Sequence, residues 1–121
     1  MSIYIKTDDA NALKQGLYDA LTQSGQFTAA GDSLVFSGNG PYQGLAQLVV
    51  TSGFVTPLPD GRIYNLLVVV YLDPRLTQPQ TSAATLAFVK SFYDLVAAEL
   101  TLLFTKHSGN IIKRDYDFKV F

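Results

Sequence analysis

The chain has 121 residues, a net charge of −1 and no cysteine, which fits one domain and excludes a disulfide framework, a thiolate metal site and a thiol nucleophile. The charge balance gives no electrostatic case for a nucleic-acid or acidic-membrane partner. Charged residues are 16% of the chain and hydrophobic ones 48%, seven Tyr and eight Phe among them, so little charge keeps a small domain wet and the balance favours a partner or an oligomer over a monomer covered by Ser, Thr, Gln, Asn and Gly.

No signal peptide is expected at the start: Met1 to Lys6 is short and runs straight into a polar helix start. The most apolar window, residues 66–72, is far below the ~20 residues that span a bilayer, so the chain reads as soluble. Ile3, Tyr4 and Ile5 form a short extended segment. Thr7, Asp8 and Asp9 then offer an N-cap oxygen and negative charge to a first helix. Ala10, Leu13, Leu17, Ala20 and Leu21 recur at helical spacing, and Gly25 is the stop, giving a helix over about 8–24.

A Gly-rich stretch follows around a short strand, Leu34, Val35 and Phe36, and 37–41 cannot hold regular structure. Residues 45–72 read as a long hairpin. Val49, Val50 and Val55 lie in its first arm, and Pro57, Leu58, Pro59, Asp60 and Gly61 mark the turn. Its second arm, 66–72, does not alternate, so both faces need cover. A helix would supply one cover and a neighbouring subunit the other.

Asp73 and Pro74 break the strand, and a polar connector leads to Thr81 or Ser82, the cap of a second helix reaching about Lys106. Leu86, Val89, Tyr93, Val96, Leu100 and Leu103 make one stripe, which Phe88, Phe92, Leu95 and Leu102 broaden until little polar face remains. Lys90 and Asp94, four apart, are spaced to pair. Ser108, Gly109 and Asn110 end the helix. In the last strand Ile112, Tyr116, Phe118 and Val120 point one way, with Arg114 the one charge among them, and Lys113, Asp115, Asp117 and Lys119 the other. The expected fold is α+β: an antiparallel sheet of four or five strands with a long central hairpin, packed against two helices in the order α-β-β-β-α-β, as a single domain over 1–121.

No catalytic apparatus emerges, and no cofactor or metal site. His107 is the only histidine and suits the dipole at the end of the second helix. Ser108 beside it leaves a triad possible on counting, but no Gly-x-Ser-x-Gly turn is present. Glu99, the one glutamate, marks the second helix's narrow wet side. Asp115 and Asp117 could hold a hard cation, but alternation with Lys113 and Lys119 favours ion pairing. The glycine-rich loop 38–44 has no following Lys-Ser/Thr and precedes a strand, so it is a surface loop rather than a phosphate cradle. Arg62, Arg75 and Arg114 fall in different elements and make no basic patch.

The order helix, short strand, long hairpin, amphipathic helix, strand, with the chain length and slight acidity, resembles the tail terminator and head-tail joining proteins of long-tailed phages. The resemblance implies an α+β subunit of a hexameric ring that caps the tail tube and joins it to the head, with no residue role carried over. The chain ends after one strand where the family suggests a terminal hairpin, which leaves another neck or tail component open. The expected partners are copies of itself and other tail or neck proteins, with no membrane, and with nucleic acid only passing through a ring lumen. The expected place is the virion after assembly in the host cytoplasm, or otherwise the cytoplasm.

A ring needs contacts between unlike patches. The hairpin tip 54–63 and the second helix are expected to supply them, through Phe54, Val55, Leu58 and Ile63 on the tip and Phe88, Phe92, Leu95 and Leu102 on the helix. Phe54→Asp or Leu58→Asp is then expected to weaken assembly and leave the monomer folded. Two other classes fit: a secretion-chaperone-like adaptor that dimerises through the second helix and captures an extended peptide, and a small module with an apolar ligand pocket between that helix and the sheet.

Overall fold

The computed structural model describes residues 1–38 and 40–120. Its framework is one sheet, antiparallel but for its last strand, with both helices on the same face, so the class is α+β as the sequence implies. The main sheet has seven strands rather than four or five, and a separate two-stranded ribbon forms the hairpin tip.

The first strand, β1 (Ser2–Thr7), is an inner strand, not merely an extended segment: it pairs on one side with β7 (Leu66–Leu72) and on the other with β8 (Gly109–Asp115). Ile3 and Ile5 face the helices and are fully buried. The first helix, α1 (Ala10–Gln23), starts two residues later than the periodicity suggests. Asp9 is its cap, accepting from the Ala12 amide at 3.1 Å and satisfying one of the amides that lack an intrahelical partner. Leu13, Leu17 and Leu21 form its buried stripe.

Two short strands, β2 (Phe27–Ala30) and β3 (Ser33–Phe36), make a hairpin. The sequence reading contains only the second of them, because Thr28, Ala29 and Ala30 are exposed and carry no alternation. The turn between them needs the positive φ of Gly31 (63°), which glycine adopts without steric cost.

The long hairpin is present: β4 (Ala46–Thr51) pairs with β7 over six residues. Its tip is the ribbon of β5 (Thr56–Pro57) and β6 (Ile63–Tyr64). Asn65 joins tip to strand. Its amide donates to the Ile5 carbonyl, its side-chain oxygen accepts from the Thr7 amide at 3.0 Å, and its side-chain nitrogen donates to the Thr7 carbonyl at 2.9 Å. The side chain thus stands in for a backbone partner where the strand pairing stops.

A single 3-10 turn (Pro74–Leu76) follows β7, and the second helix, α2, spans Ala83–Leu103, shorter than the expected reach to Lys106. Ser82 is the cap, accepting from the Thr85 amide at 3.1 Å. Phe92, Tyr93, Val96 and Leu100 are buried, whereas Leu86, placed by its spacing in the same stripe, is 49% exposed. Lys90 and Asp94 form no ion pair.

The last segment departs most from expectation. The register slips between Tyr4 and Ile5, so Ile111 rather than Ile112 packs on the core, as a bulge requires. At the strand's end the Asp115 carboxylate accepts from the Asp117 amide at 2.9 Å, turning the chain. It resumes as β9 (Lys119–Val120), which pairs in parallel with Tyr71 and Leu72 of β7. That strand fills the place beside β7 left beyond the start of β1, where the Met1 amino group donates to the Val70 carbonyl at 3.3 Å and the Asp117 carbonyl at 2.7 Å.

The core lies between the helices and the face carrying Leu48, Val50, Leu66, Val68, Val70 and Leu72. Alternation places Val49, Leu67, Val69, Tyr71 and Tyr4 on the opposite face. No helix covers that face among the described residues. The tip reaches part of it, where Tyr64 meets Tyr4 edge-on at 4.9 Å, and Val69 on it is buried.

Candidate interaction surfaces

The hairpin tip carries Phe54, Val55, Leu58 and Ile63, with Ile63 paired across the ribbon with Pro57. Val55 is 71% exposed and Ile63 46%. Phe54 is half-buried, edge-on to Tyr64 at 5.4 Å. Leu58 is buried. It therefore presents no surface in the single chain: the ribbon closes over it, with the Leu58 amide donating to the Arg62 carbonyl at 2.7 Å and Asp60 pairing with Arg62 at 2.7 Å. Arg62 also donates to the Ile112 carbonyl at 2.6 Å, anchoring the tip to β8. Beside Val55 lies an open depression of about 410 Å³ lined by Asp8, Asp9, Ala10, Asn11, Gly53, Phe54 and Val55.

The helix residues divide. Phe92 is buried against Phe27 at 5.0 Å, inside the core rather than on a surface. Phe88 is half-buried, stacked on Tyr42 at 4.2 Å and edge-on to Phe36 at 5.0 Å. The loop 38–44 is thus held to α2 through Tyr42; Asn39 in it lies outside the described residues. Leu95 borders a shallow cavity of about 260 Å³ beside this aromatic cluster. Leu102, 63% exposed, stands apart with Glu99 and Lys106 near Gly16 of α1.

A further surface escapes the sequence reading. Met1, Leu86, Val89, Lys90, Tyr93, Tyr116 and Phe118 line an apolar groove of about 180 Å³ between α2 and the segment joining β8 to β9. Tyr116 is 62% exposed, and Val120 beyond the groove is half-exposed. Alternation in the sequence places Tyr116, Phe118 and Val120 against the sheet, but the turn at Asp115 carries them to the surface. The Tyr93 hydroxyl is buried and has no hydrogen-bond partner. Burial, with the Tyr116 phenol nearby, pushes its pKa up to about 12, and Arg114, whose guanidinium lies 5.6 Å over the Tyr93 ring, pulls the other way.

The remaining polar residues have structural roles. Asp73 caps the 3-10 turn and pairs with Arg75 at 2.9 Å, and the hydrogen bonds from that arginine hold its carboxyl down at about 2. Asp115 lies 3.7 Å from Lys119. His107 follows α2, its amide donating to the Leu103 carbonyl. Among the described residues no three His, Asp or Glu side chains cluster so as to hold a metal ion, and no helix is long and apolar enough to cross a membrane.

No family model, curated protein or solved structure matches this chain.

Proposed function

We propose that the chain is a structural subunit that assembles with copies of itself, in the form of a tail-terminator-like ring at the head-tail neck of a phage-type tail. Its other partners are then the adjoining tail or neck proteins, and its place is the virion. The order of elements supports the family. The observation that carries the assembly reading is the distribution of apolar surface. Val55 and Ile63 on the tip, Leu102 on α2 and the Leu86, Tyr116, Phe118 group are exposed at separate places, and among the described residues no helix lies over the sheet face bearing Val49, Leu67 and Tyr71. Unlike patches at different places on one subunit suit head-to-tail contacts, which generate rings when the rotation closes.

Absolute mass by light scattering behind a sizing column, over a range of concentration and salt, tests this. A hexamer, or growth to closed rings visible by electron microscopy, is the expected result. A stable dimer would favour the adaptor reading, and a monomer at every concentration would overturn self-assembly.

A further inference from the structure

Two of the exposed apolar features lie at opposite ends of the sheet. The Val55 knob follows the end of β4 and sits beside Asp8 and Asp9, just past the end of β1. The groove holds Met1, at the start of β1, and the first half of α2. Strand β7 runs from one end to the other, and its seven residues at about 3.3 Å each separate them by roughly 20 Å. One chain therefore cannot bring its own knob to its own groove.

The charged side chains lining them are opposite in sign, although Asp94 lies near Tyr93, and Asp115 and Asp117 near the Met1 amine, at the groove's border. Among the described residues, the only charged ones bordering the knob's depression are the exposed Asp8 and Asp9. The only charged side chain among the described residues that lines the groove is the exposed Lys90, and Arg114 lies over the Tyr93 ring that forms part of its wall. None of these four has an ion-pair partner within the chain among the described residues. The groove also contains a buried hydroxyl, that of Tyr93, without a partner. The Tyr116 phenol lies beside it on the groove wall.

We infer that the groove between α2 and the β8–β9 segment receives the Val55 knob of a second copy of this chain, with Asp8 and Asp9 of that copy set against Lys90 and Arg114. The contact is head-to-tail, so each subunit keeps a free knob and a free groove until a ring closes. This inference rests on the self-assembly reading and specifies its interface.

The test uses one variant on each side at exposed positions, Val55→Glu for the knob and Leu86→Glu for the groove, each checked for native circular dichroism. Each alone is expected to weaken assembly at least tenfold. Mixed one to one, they are expected to form a heterodimer and nothing larger, because one intact knob meets one intact groove. In the charge test, Lys90→Glu weakens assembly and Asp8→Lys in the same chain restores part of it. If the unmodified chain stays monomeric at every concentration, the assembly reading falls and this interface with it. If the unmodified chain assembles and both variants assemble equally well, only the interface falls. A mixture that fails to pair also overturns it. So does decanoate shifting Phe118 resonances at micromolar concentration while both variants still assemble, which would assign the groove to a small apolar acid.

Discussion

Replacing Asn65 with alanine should loosen the root of the hairpin tip. Its side-chain amide holds both backbone groups of Thr7, the amide at 3.0 Å and the carbonyl at 2.9 Å, and Thr7 is only 2% exposed. Each hydrogen bond contributes about 1 kcal/mol net, and an orphaned buried group costs about 1–3 kcal/mol. Water reaching the gap recovers part of this, so a loss of about 2–3 kcal/mol is expected. For a domain of this size that lowers the melting temperature by roughly 8–12 °C. Urea denaturation measures the energy, and hydrogen exchange at the Thr7 amide locates it. Asn65→Asp keeps an acceptor for the Thr7 amide but sets a carboxylate against the Thr7 carbonyl. Repulsion raises the folded-state pKa of the introduced acid, so its deficit is largest at neutral pH and shrinks as pH falls through that pKa. An Asn65→Ala protein within 0.5 kcal/mol of the original, with unchanged exchange at Thr7, would refute the account of the tip's root.

Three other outcomes follow from the packing. The Tyr18 hydroxyl accepts from the Val50 amide at 3.0 Å and donates to the Asp32 carbonyl, so Tyr18→Phe should cost about 1–2 kcal/mol and speed exchange at the Val50 amide. Leu58→Asp places a carboxylate at a position 7% exposed; it should unfold the ribbon, seen as lost Thr56–Tyr64 cross-strand NMR contacts, and so differs from Phe54→Asp at the half-buried neighbour. The Met1 amine, its pKa lowered from 8.0 to about 6 by burial first and Lys119 second, holds its proton more weakly folded than unfolded. Its penalty is fully present below pH 6 and vanishes above pH 8. In protein that retains Met1, stability should therefore rise by about 1 kcal/mol across that window, discounted for partial exposure, and denaturation at pH 5.5, 7 and 8.5 checks it.

The helices and the long hairpin are legible because each rests on many residues of one period: Leu13, Leu17 and Leu21 in α1, Val96 and Leu100 in α2, the valine run in β7. Strand β1 offers only Ile3 and Ile5 as alternation, and its inner place depends on partners more than 60 residues away. The end of the chain misleads for a local reason. Its alternation is regular, but a single carboxylate, that of Asp115, captures the Asp117 amide and breaks the strand. The groove arises from that break, so no pattern in the residues lining it announces the site. Composition anticipates the surplus of apolar surface, and the distribution of that surplus between two ends of the sheet is a property of the fold.

The place of β9 has a consequence for how the molecule forms. Strand β7 is bordered on one side by β1 and, beyond the start of β1, by β9, while β1 takes its other neighbour from β8, about a hundred residues later. On a ribosome the earliest strand must then wait, half paired, until nearly all of the described chain has emerged. Folding should be slow for a domain this small, since long loops are closed before their contacts form. The exposed edge of β1 is in the meantime a template for a strand of another chain. Joining Val120 to Met1, both beside the end of β7, and opening the chain in the 73–82 connector would remove that wait, and a faster refolding phase in such a permutant would show that topology sets the rate.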